Sequence, residues 1–163
     1  MPVSIKSFIT AALLSSLAFN SWAKVDLVKV DKSKRRLYLL EQGQVIKQYR
    51  IALGKAPKGH KRTEGDQRTP EGRYILNGVN PESNFYKSMH ISYPDMDDLA
   101  RAEAEGIDPG GDISVHGLKN SFDEDPAYIQ SFDWTNGCIA ITNQEMDEFL
   151  SLVENGTPIE IEW

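Results

Sequence analysis

Two side chains in this sequence have the types that nucleophilic catalysis needs. Cys138, the chain's one cysteine, ends the run Trp134-Thr135-Asn136-Gly137-Cys138, and His116 closes Ile113-Ser114-Val115-His116 ahead of Gly117. A thiol with an ordinary pKa of about 8.5 is only about 3% thiolate at neutral pH, and the thiolate is the attacking species. An imidazole within reach can take the thiol proton and later return it to a leaving amine. Rapid alkylation of the thiol by iodoacetamide at neutral pH would support an activated nucleophile over a buried structural cysteine. Asn136-Gly137 is turn chemistry, and glycine lets a substrate approach the backbone. The N–H groups of Gly137 and Cys138 are candidates to hold an oxyanion, and the Gly117 carbonyl to accept Nδ1–H of His116. A metal centre built from His60, His90, His116 and Cys138 has no support in spacing, since no pair falls at H-E-x-x-H or C-x-x-C.

The elements that must position these groups are mostly strands. Ile113 and Val115 share one face of a strand, which turns Ser114 and His116 to the other. Ile139 and Ile141 share a face of the next, leaving Cys138 and Ala140 opposite. If the two strands neighbour each other with the isoleucines inward, Cys138 and His116 project to the same side. Upstream, alternation over 25–30, 36–40 and 45–53, with turns at Asp31-Lys32-Ser33-Lys34 and Gln42-Gly43-Gln44, predicts a β-meander. Lys32, Lys34, Arg35 and Arg36 read as a hydrophilic turn. Residues 54–72, rich in Gly and Pro, read as an ordered loop. Further strands are expected at 73–76, 88–93, 112–116, 138–142 and 158–162.

Two helices break the series. Pro94 and Asp95 open one that runs to about Glu105, with Gly106 placed to stop it. The other starts at the capping box Thr142-x-x-Glu145 and is expected to end at Gly156. Its apolar face is Met146, Phe149, Leu150 and Val153, at i, i+3, i+4 and i+7. The expected fold is a mostly β, β-rich mixed sheet or sandwich with two short α-helices.

Composition narrows the function classes. One cysteine among 163 residues rules out a disulfide-stapled scaffold and a zinc ribbon. With 18 Lys+Arg against 24 Asp+Glu, a net charge of −6 argues against nucleic acid as partner. Lys6, the apolar run 8–19, too short to span a bilayer, and the small-x-small Ser21-Trp22-Ala23 read as a secretory signal peptide over residues 1–23. Residues 24–163 then form a single exported domain with no membrane span, carrying a lone thiol outside the cytoplasm.

His116-Gly117 followed by Thr135-Asn136-Gly137-Cys138 resembles the signature of the YkuD-type L,D-transpeptidases, particularly a subgroup of small exported proteins. Residues 49–54, 65–74, His90-Ile91-Ser92-Tyr93-Pro94 and Pro109-Gly110-Gly111 are similar to that family too, so the resemblance covers roughly 25–162. It implies a β-rich catalytic domain in the periplasm of a Gram-negative-type envelope, acting on peptidoglycan stem peptides. A cysteine attacks the L-centre carbonyl of diaminopimelate in a tetrapeptide, D-alanine leaves, and an amine resolves the thioester. By position this makes Cys138 the nucleophile and His116 the general base, oriented by the Gly117 carbonyl. Thr135, Asn136 and Gly137 become the substrate-contacting nucleophile loop, and Tyr93 a border of the substrate pocket.

The resemblance has two departures. Asn136 stands where the family commonly has histidine, and Ala140 where it commonly has arginine, a carboxylate anchor. Two rival uses of the domain remain open at this level. One is the same site working hydrolytically, as an L,D-carboxypeptidase or as an amidase that frees a wall-attached protein partner. The other is a non-catalytic wall-binding β-domain. A monomer without cofactor or metal is expected. The acidic loop 118–133, with Asp123, Glu124 and Asp125, reads as solvated, with recruitment of a cationic acceptor as its functional alternative.

Overall fold

A computed structural model describes residues 24–163; the expected signal peptide lies outside the described residues. The meander is present: β1 (Leu27–Asp31), β2 (Arg36–Glu41) and β3 (Gln44–Arg50) pair antiparallel in sequence order. Gln42 and Gly43 both take positive φ (50° and 77°), the backbone of a tight turn whose twist matches the strands it joins. β8 (Pro158–Glu162) returns to lie parallel to β1, and β4 (Gly72–Ser83) pairs antiparallel with β8. Alternate residues therefore stack in rungs: Leu39, Val28, Ile159 and Tyr74 face one another across four strands, and all are buried.

The chain then runs through β5 (Tyr86–Ile91), β6 (Ser114–His116) and β7 (Ile139–Ala140), giving the strand order β3-β2-β1-β8-β4-β5-β6-β7. Beyond β3, the segment 51–54 bridges the far end of this sheet, Ala52 to Ala140 and Gly54 to Thr135. The predicted strand 45–53 thus leaves β2 at Arg50, and its end reaches β7, which Cys138 immediately precedes. That bridge brings the sheet's two ends together around one core, and the fold is mostly β, as the alternation predicts.

Of the two predicted helices, α1 (Met96–Glu105) is capped by Asp95, whose carboxylate accepts from Asp97 N and Asp98 N, and stopped by Gly106 at φ 65°. Downstream, α3 (Asn143–Leu152) has its capping box in place: Glu145 N donates to Thr142 Oγ1 at 3.3 Å, and Thr142 N to Glu145 Oε2 at 2.9 Å. Met146 and Phe149 are buried from its apolar face; truncating a core phenylalanine of this kind costs about 3–5 kcal/mol. The helix ends at Leu152 with Val153 as its cap, three residues before Gly156.

A third, four-residue helix, α2 (Pro126–Ile129), occupies the acidic loop. Asp125 caps it through Ala127 N, and Pro126 follows at its first position, so part of the loop's acidity is a helix start. Its exit buries Ile129 and Gln130, and Gln130 Nε2 donates to the Ala140 carbonyl at 2.8 Å. Among the described residues no helix is long and apolar enough to cross a membrane.

The hydrophilic turn reading fails at Lys32 and Arg35. Lys32 is 0% exposed: its ammonium donates to Gly59 O, Thr69 O and Glu71 Oε1 at 2.8–3.0 Å. Arg35 grips the Asp133 carboxylate through Nε and Nη2. Both side chains leave the turn because loop carbonyls and carboxylates from distant sequence offer them complete partners, which offsets the cost of losing water.

Candidate active site

The predicted pair of strands is adjacent. β6 and β7 run parallel with Val115 beside Ile139 and His116 beside Ala140, so Cys138, two positions before Ala140, shares the His116 face. Ile113, Val115, Ile139 and Ile141 are buried on the other. Cys138 and His116 line one cavity of about 410 Å³, whose walls include Phe85, Phe122, Trp134 and Thr135. His116 stacks on Phe85 with ring centroids 4.4 Å apart and lies 5.7 Å from Trp134, which in turn meets Phe122 edge-on.

The imidazole is held in one tautomer. Its Nδ1 lies 2.7 Å from the Gly117 carbonyl, which can only accept, so Nδ1 carries the proton and Nε2 keeps its lone pair. Nε2 has no hydrogen-bond partner among the described residues. Gly117 must be glycine for reasons of space: a Cβ there would come within 2.6 Å of Asn143 Oδ1 and 2.9 Å of Tyr86 Cβ. The ring is 3% exposed, and this burial pushes its pKa down to about 4, against the opposing pull of the Gly117 carbonyl. At neutral pH it is an uncharged base.

Burial also raises the Cys138 thiol above its ordinary value, with the Ser114 N–H working the other way. The sulfur donates to the Asp112 carbonyl at 3.5 Å and makes no hydrogen bond with His116. The resting pair is thus a neutral thiol and a neutral imidazole. The low-dielectric pocket that shelters the pair disfavours both charges.

The nucleophile turn is tied internally. Thr135 Oγ1 donates to the Cys138 carbonyl at 2.7 Å and accepts Gly137 N–H at 3.1 Å. Gly137 N–H is therefore occupied, contrary to the expectation that it points at an oxyanion, while Cys138 N–H has no partner among the described residues. Gly137 sits at φ 139°, and a Cβ there would meet Arg68 O at 2.8 Å. The loop 54–72, which Lys32 anchors, is thus the turn's backing.

Asn136 is exposed, lines the cavity and accepts from Lys55 Nζ at 3.3 Å. Tyr93 lies apart: it is buried, its hydroxyl donates to Pro109 O at 2.9 Å, and it does not line this cavity. Ala140 is fully enclosed, with its N–H and carbonyl joined to Ala52 and the carbonyl shared with Gln130. Two cations reach the cavity from elsewhere, Lys55 and Lys119.

Those lysines, with Phe85 and Phe122, are the residues that motif reading missed. Trp134 alone was signalled, by standing at the head of the cysteine motif. Among the described residues no three His, Cys, Asp or Glu side chains are grouped to hold a metal. His60 contacts Asp98 and Glu71, and His90 contacts Asn77. Asp123 and Glu124 do not line the cavity.

A family model described as the L,D-transpeptidase catalytic domain YkuD matches residues 26–161. "Putative L,D-transpeptidase YafK" of Escherichia coli (strain K12) is 31% identical over a 132-residue alignment that covers 77% of this chain and 46% of that protein. The chain spans about half the length of the curated relatives it matches. Among solved structures, the helical cell shape determining protein Pgp2 from Campylobacter jejuni superposes with a TM-score of 0.64 at 26% identity, covering 85% of this chain and 47% of that one. An Enterococcus faecium L,D-transpeptidase shares the fold, with a TM-score of 0.54 at 16% identity over 85% of this chain and 50% of its own. Motif order, fold and family match agree over nearly all the described residues, and the chain belongs to the YkuD family of L,D-transpeptidase catalytic domains.

Proposed function

We propose that this chain is an exported peptidoglycan acyl-transfer enzyme, working in the periplasm as a monomer without a cofactor. The observation that carries the reading is the shared cavity: Cys138 opens onto it, and His116 has its Nδ1 proton fixed on Gly117 and its Nε2 unengaged. Nε2 accepts the thiol proton as sulfur attacks the L-centre carbonyl of diaminopimelate in a stem tetrapeptide. The C–N bond to D-alanine then breaks, and the departing amine takes the proton from His116. The thioester on Cys138 is resolved by an acceptor amine, which gives its proton to His116 and displaces the sulfur; the sulfur then recovers its hydrogen.

Cys138 N–H, free of other partners, is the donor best disposed to hold the carbonyl oxygen as charge builds on it. Activation by proton transfer during attack, in place of a standing thiolate, follows from the neutral resting pair. Asn136 lies at the mouth, Thr135 and Gly137 shape the turn, and Tyr93 acts through the Pro109 carbonyl that it holds. The name of the Campylobacter relative points to a consequence for cell shape.

Incubation with purified muropeptides, followed by mass, tests this. Loss of D-alanine with crosslinked dimers is the expected result, and Cys138→Ala should abolish both while folding is retained. Loss of D-alanine without dimers would replace transfer by hydrolysis, and full turnover by Cys138→Ala would end the mechanism.

A further inference from the structure

The turn between β4 and β5 carries Phe85, the aromatic face on which His116 stacks. One residue outside that turn supplies three of its hydrogen bonds. Asn120, shortly after the base in sequence, donates its backbone N–H to Asn84 O and its Nδ2 to Ser83 O, each at 3.0 Å. Its Oδ1 accepts the Tyr86 N–H at 2.9 Å. Both polar atoms of the side chain are thus engaged by the 83–86 turn. Asn120 is exposed, so one such bond would stabilise little against water, but three aimed at one short turn act together.

The turn needs that support. Tyr86 sits at φ 67°, left-handed backbone that favours glycine and that a bulky side chain seldom adopts. Its hydroxyl reaches α3, donating to Asp147 Oδ2 at 2.8 Å, and Phe85 N donates to Ser83 Oγ at 3.1 Å. From the other side Gly117 N donates to Lys87 O at 3.1 Å, and the space above its Cα lets Tyr86 Cβ and Phe85 O lie close. The Phe85 ring then meets the imidazole at 4.4 Å with an interplanar angle of 29°. The bond from Nδ1 to the Gly117 carbonyl fixes one edge of the imidazole, and a ring held at one edge can still rock about it. A flat neighbour removes that freedom and keeps water off one face.

We infer that Asn120 is a positioning residue of the acyl-transfer site: it holds the 83–86 turn, seats Phe85 on His116, and so fixes the plane of the imidazole and the direction of its open Nε2. The inference deepens the acyl-transfer reading and rests on it for the role of His116. Asn120 does not line the cavity, so it acts on the base and not on substrate. The loop between base and nucleophile thereby gains a task beyond its acidic residues, since the segment that follows the base turns back to brace the ring.

Kinetics and the ring's own titration test it. Asn120→Ala, which removes the two side-chain bonds, should lower kcat on muropeptides by about 10- to 100-fold with KM within about twofold, as a misaimed base in an open cavity would. Phe85→Leu should lower kcat at least as much, and Phe85→Tyr, which keeps the flat face, should restore it. The double variant Asn120→Ala/Phe85→Leu should be no slower than Phe85→Leu alone, because one residue acts through the other. Without turnover, the His116 ring is followed by NMR in the exported protein carrying Cys138→Ala. Its pKa, held at about 4 by burial, should climb towards 6.5 in Asn120→Ala and in Phe85→Leu as water reaches the ring. Charged neighbours cannot supply that rise: Lys55 and Lys119 in the cavity oppose protonation, Asp123 and Glu124 lie outside it, and Asp147 is paired with Lys87 and the Tyr86 hydroxyl. If Asn120→Ala does not fold, Asn120→Asp, which keeps the acceptor for Tyr86 N–H and loses the donor to Ser83 O, takes its place with kcat as the readout. Unchanged kcat in the Asn120 variant, a double variant slower than Phe85→Leu by the full Asn120 factor, or a ring still titrating near 4 in both single variants would each overturn the assignment. Protein inert on muropeptides whose ring still titrates higher in both variants would sink acyl transfer and leave Asn120 bracing the ring. Active protein whose ring is indifferent to both would do the reverse.

Discussion

His60 is partly exposed and His116 is buried, and the hydrogen bonds around them separate a fastener from a reactive group. His60 has both nitrogens engaged: Nδ1 accepts the Glu71 N–H at 2.9 Å, and Nε2–H then donates to Asp98 Oδ1 at 2.9 Å. Asp98 also receives the Tyr74 hydroxyl and Arg101 Nη1, so that network ties β4, α1 and the 54–72 loop together. His116 has one nitrogen fixed and one spare. Lys32 is a fastener of the same kind, with all three donors engaged. Buried polar groups need partners, so an unspent lone pair beside a cavity marks where a ligand completes the set.

The sharpest way to break this comparison is to remove each ring. His116→Ala removes a buried ring stacked on Phe85 and so costs stability too, but it is expected to lower kcat/KM on muropeptides per folded molecule by about 10²–10⁴, the usual range for a general base. His60→Ala is expected to cost stability alone. It strands the Glu71 N–H and one Asp98 oxygen, costs about 2–3 kcal/mol and lowers Tm by roughly 5–10 °C, while kcat/KM per folded molecule stays within severalfold. Equal losses of turnover in both variants would erase the distinction.

Lys32→Met sharpens it next. The substitution keeps the stem but leaves Gly59 O, Thr69 O and Glu71 without their cation. A loss of about 3 kcal/mol is expected, read as a lower urea midpoint and a Tm reduced by roughly 10 °C. Muropeptide turnover should fall only as far as the loop behind Gly137 loosens. A Lys32→Met protein as stable as the parent would mean that the buried ammonium is no clamp.

Acid separates His116 by a different route. Its folded pKa of about 4 lies below the ordinary 6.5, so between these values the unfolded chain takes a proton that the folded chain refuses. Stability therefore falls as pH drops from 6.5 to 4, by about 3 kcal/mol in all, and His116→Gln should flatten that portion of a denaturation series. Asp66 and Asp98 titrate below 3.8 in the fold, where acceptance of N–H groups outweighs the cost of burial, so their contribution is lost below this window. The acid limb of kcat/KM should likewise sit near 4, and a limb near 6.5 would contradict the buried, uncharged base.

What the sequence made legible was short in range. Thr142 and Glu145 are three residues apart, and their reciprocal cap closes as the spacing says. The alternation of Ile113 with Val115 and of Ile139 with Ile141 is enough to turn His116 and Cys138 to one face. Lys32 was illegible because its partners lie 27, 37 and 39 residues away, and a turn lysine carries no mark of them. The α2 helix is one turn long, too short for periodicity to register, and shows only as an Asp125-Pro126 start. The spent N–H of Gly137 could not be read either, because Thr135 Oγ1 reaches it only once the turn has closed. Local patterns gave the nucleophile and its base; long-range hydrogen bonds determine which polar groups are left over to bind something.

The weakest expected effect concerns the cations at the aromatic cavity. Ala140 is fully buried with its backbone held by Ala52 and Gln130, and it brings no charge to the site. Lys55 and Lys119 approach the cavity from other segments as exposed side chains, and among the described residues neither is in a salt bridge. Exposed charges contribute about 0.5–1 kcal/mol each and are screened by salt. Lys55→Gln should therefore raise KM for tetrapeptide roughly two- to fivefold with kcat unchanged, and 0.5 M salt should remove most of that difference. Lys55 also touches Asn136, so Asn136→Ala serves as a control: it removes the 3.3 Å contact and keeps the charge. If Asn136→Ala reproduces the KM of Lys55→Gln and salt leaves both unaltered, then Lys55 orders the mouth of the site and does not read substrate charge. A salt-sensitive loss confined to Lys55→Gln and Lys119→Gln would instead assign carboxylate recognition to side chains outside the cysteine motif.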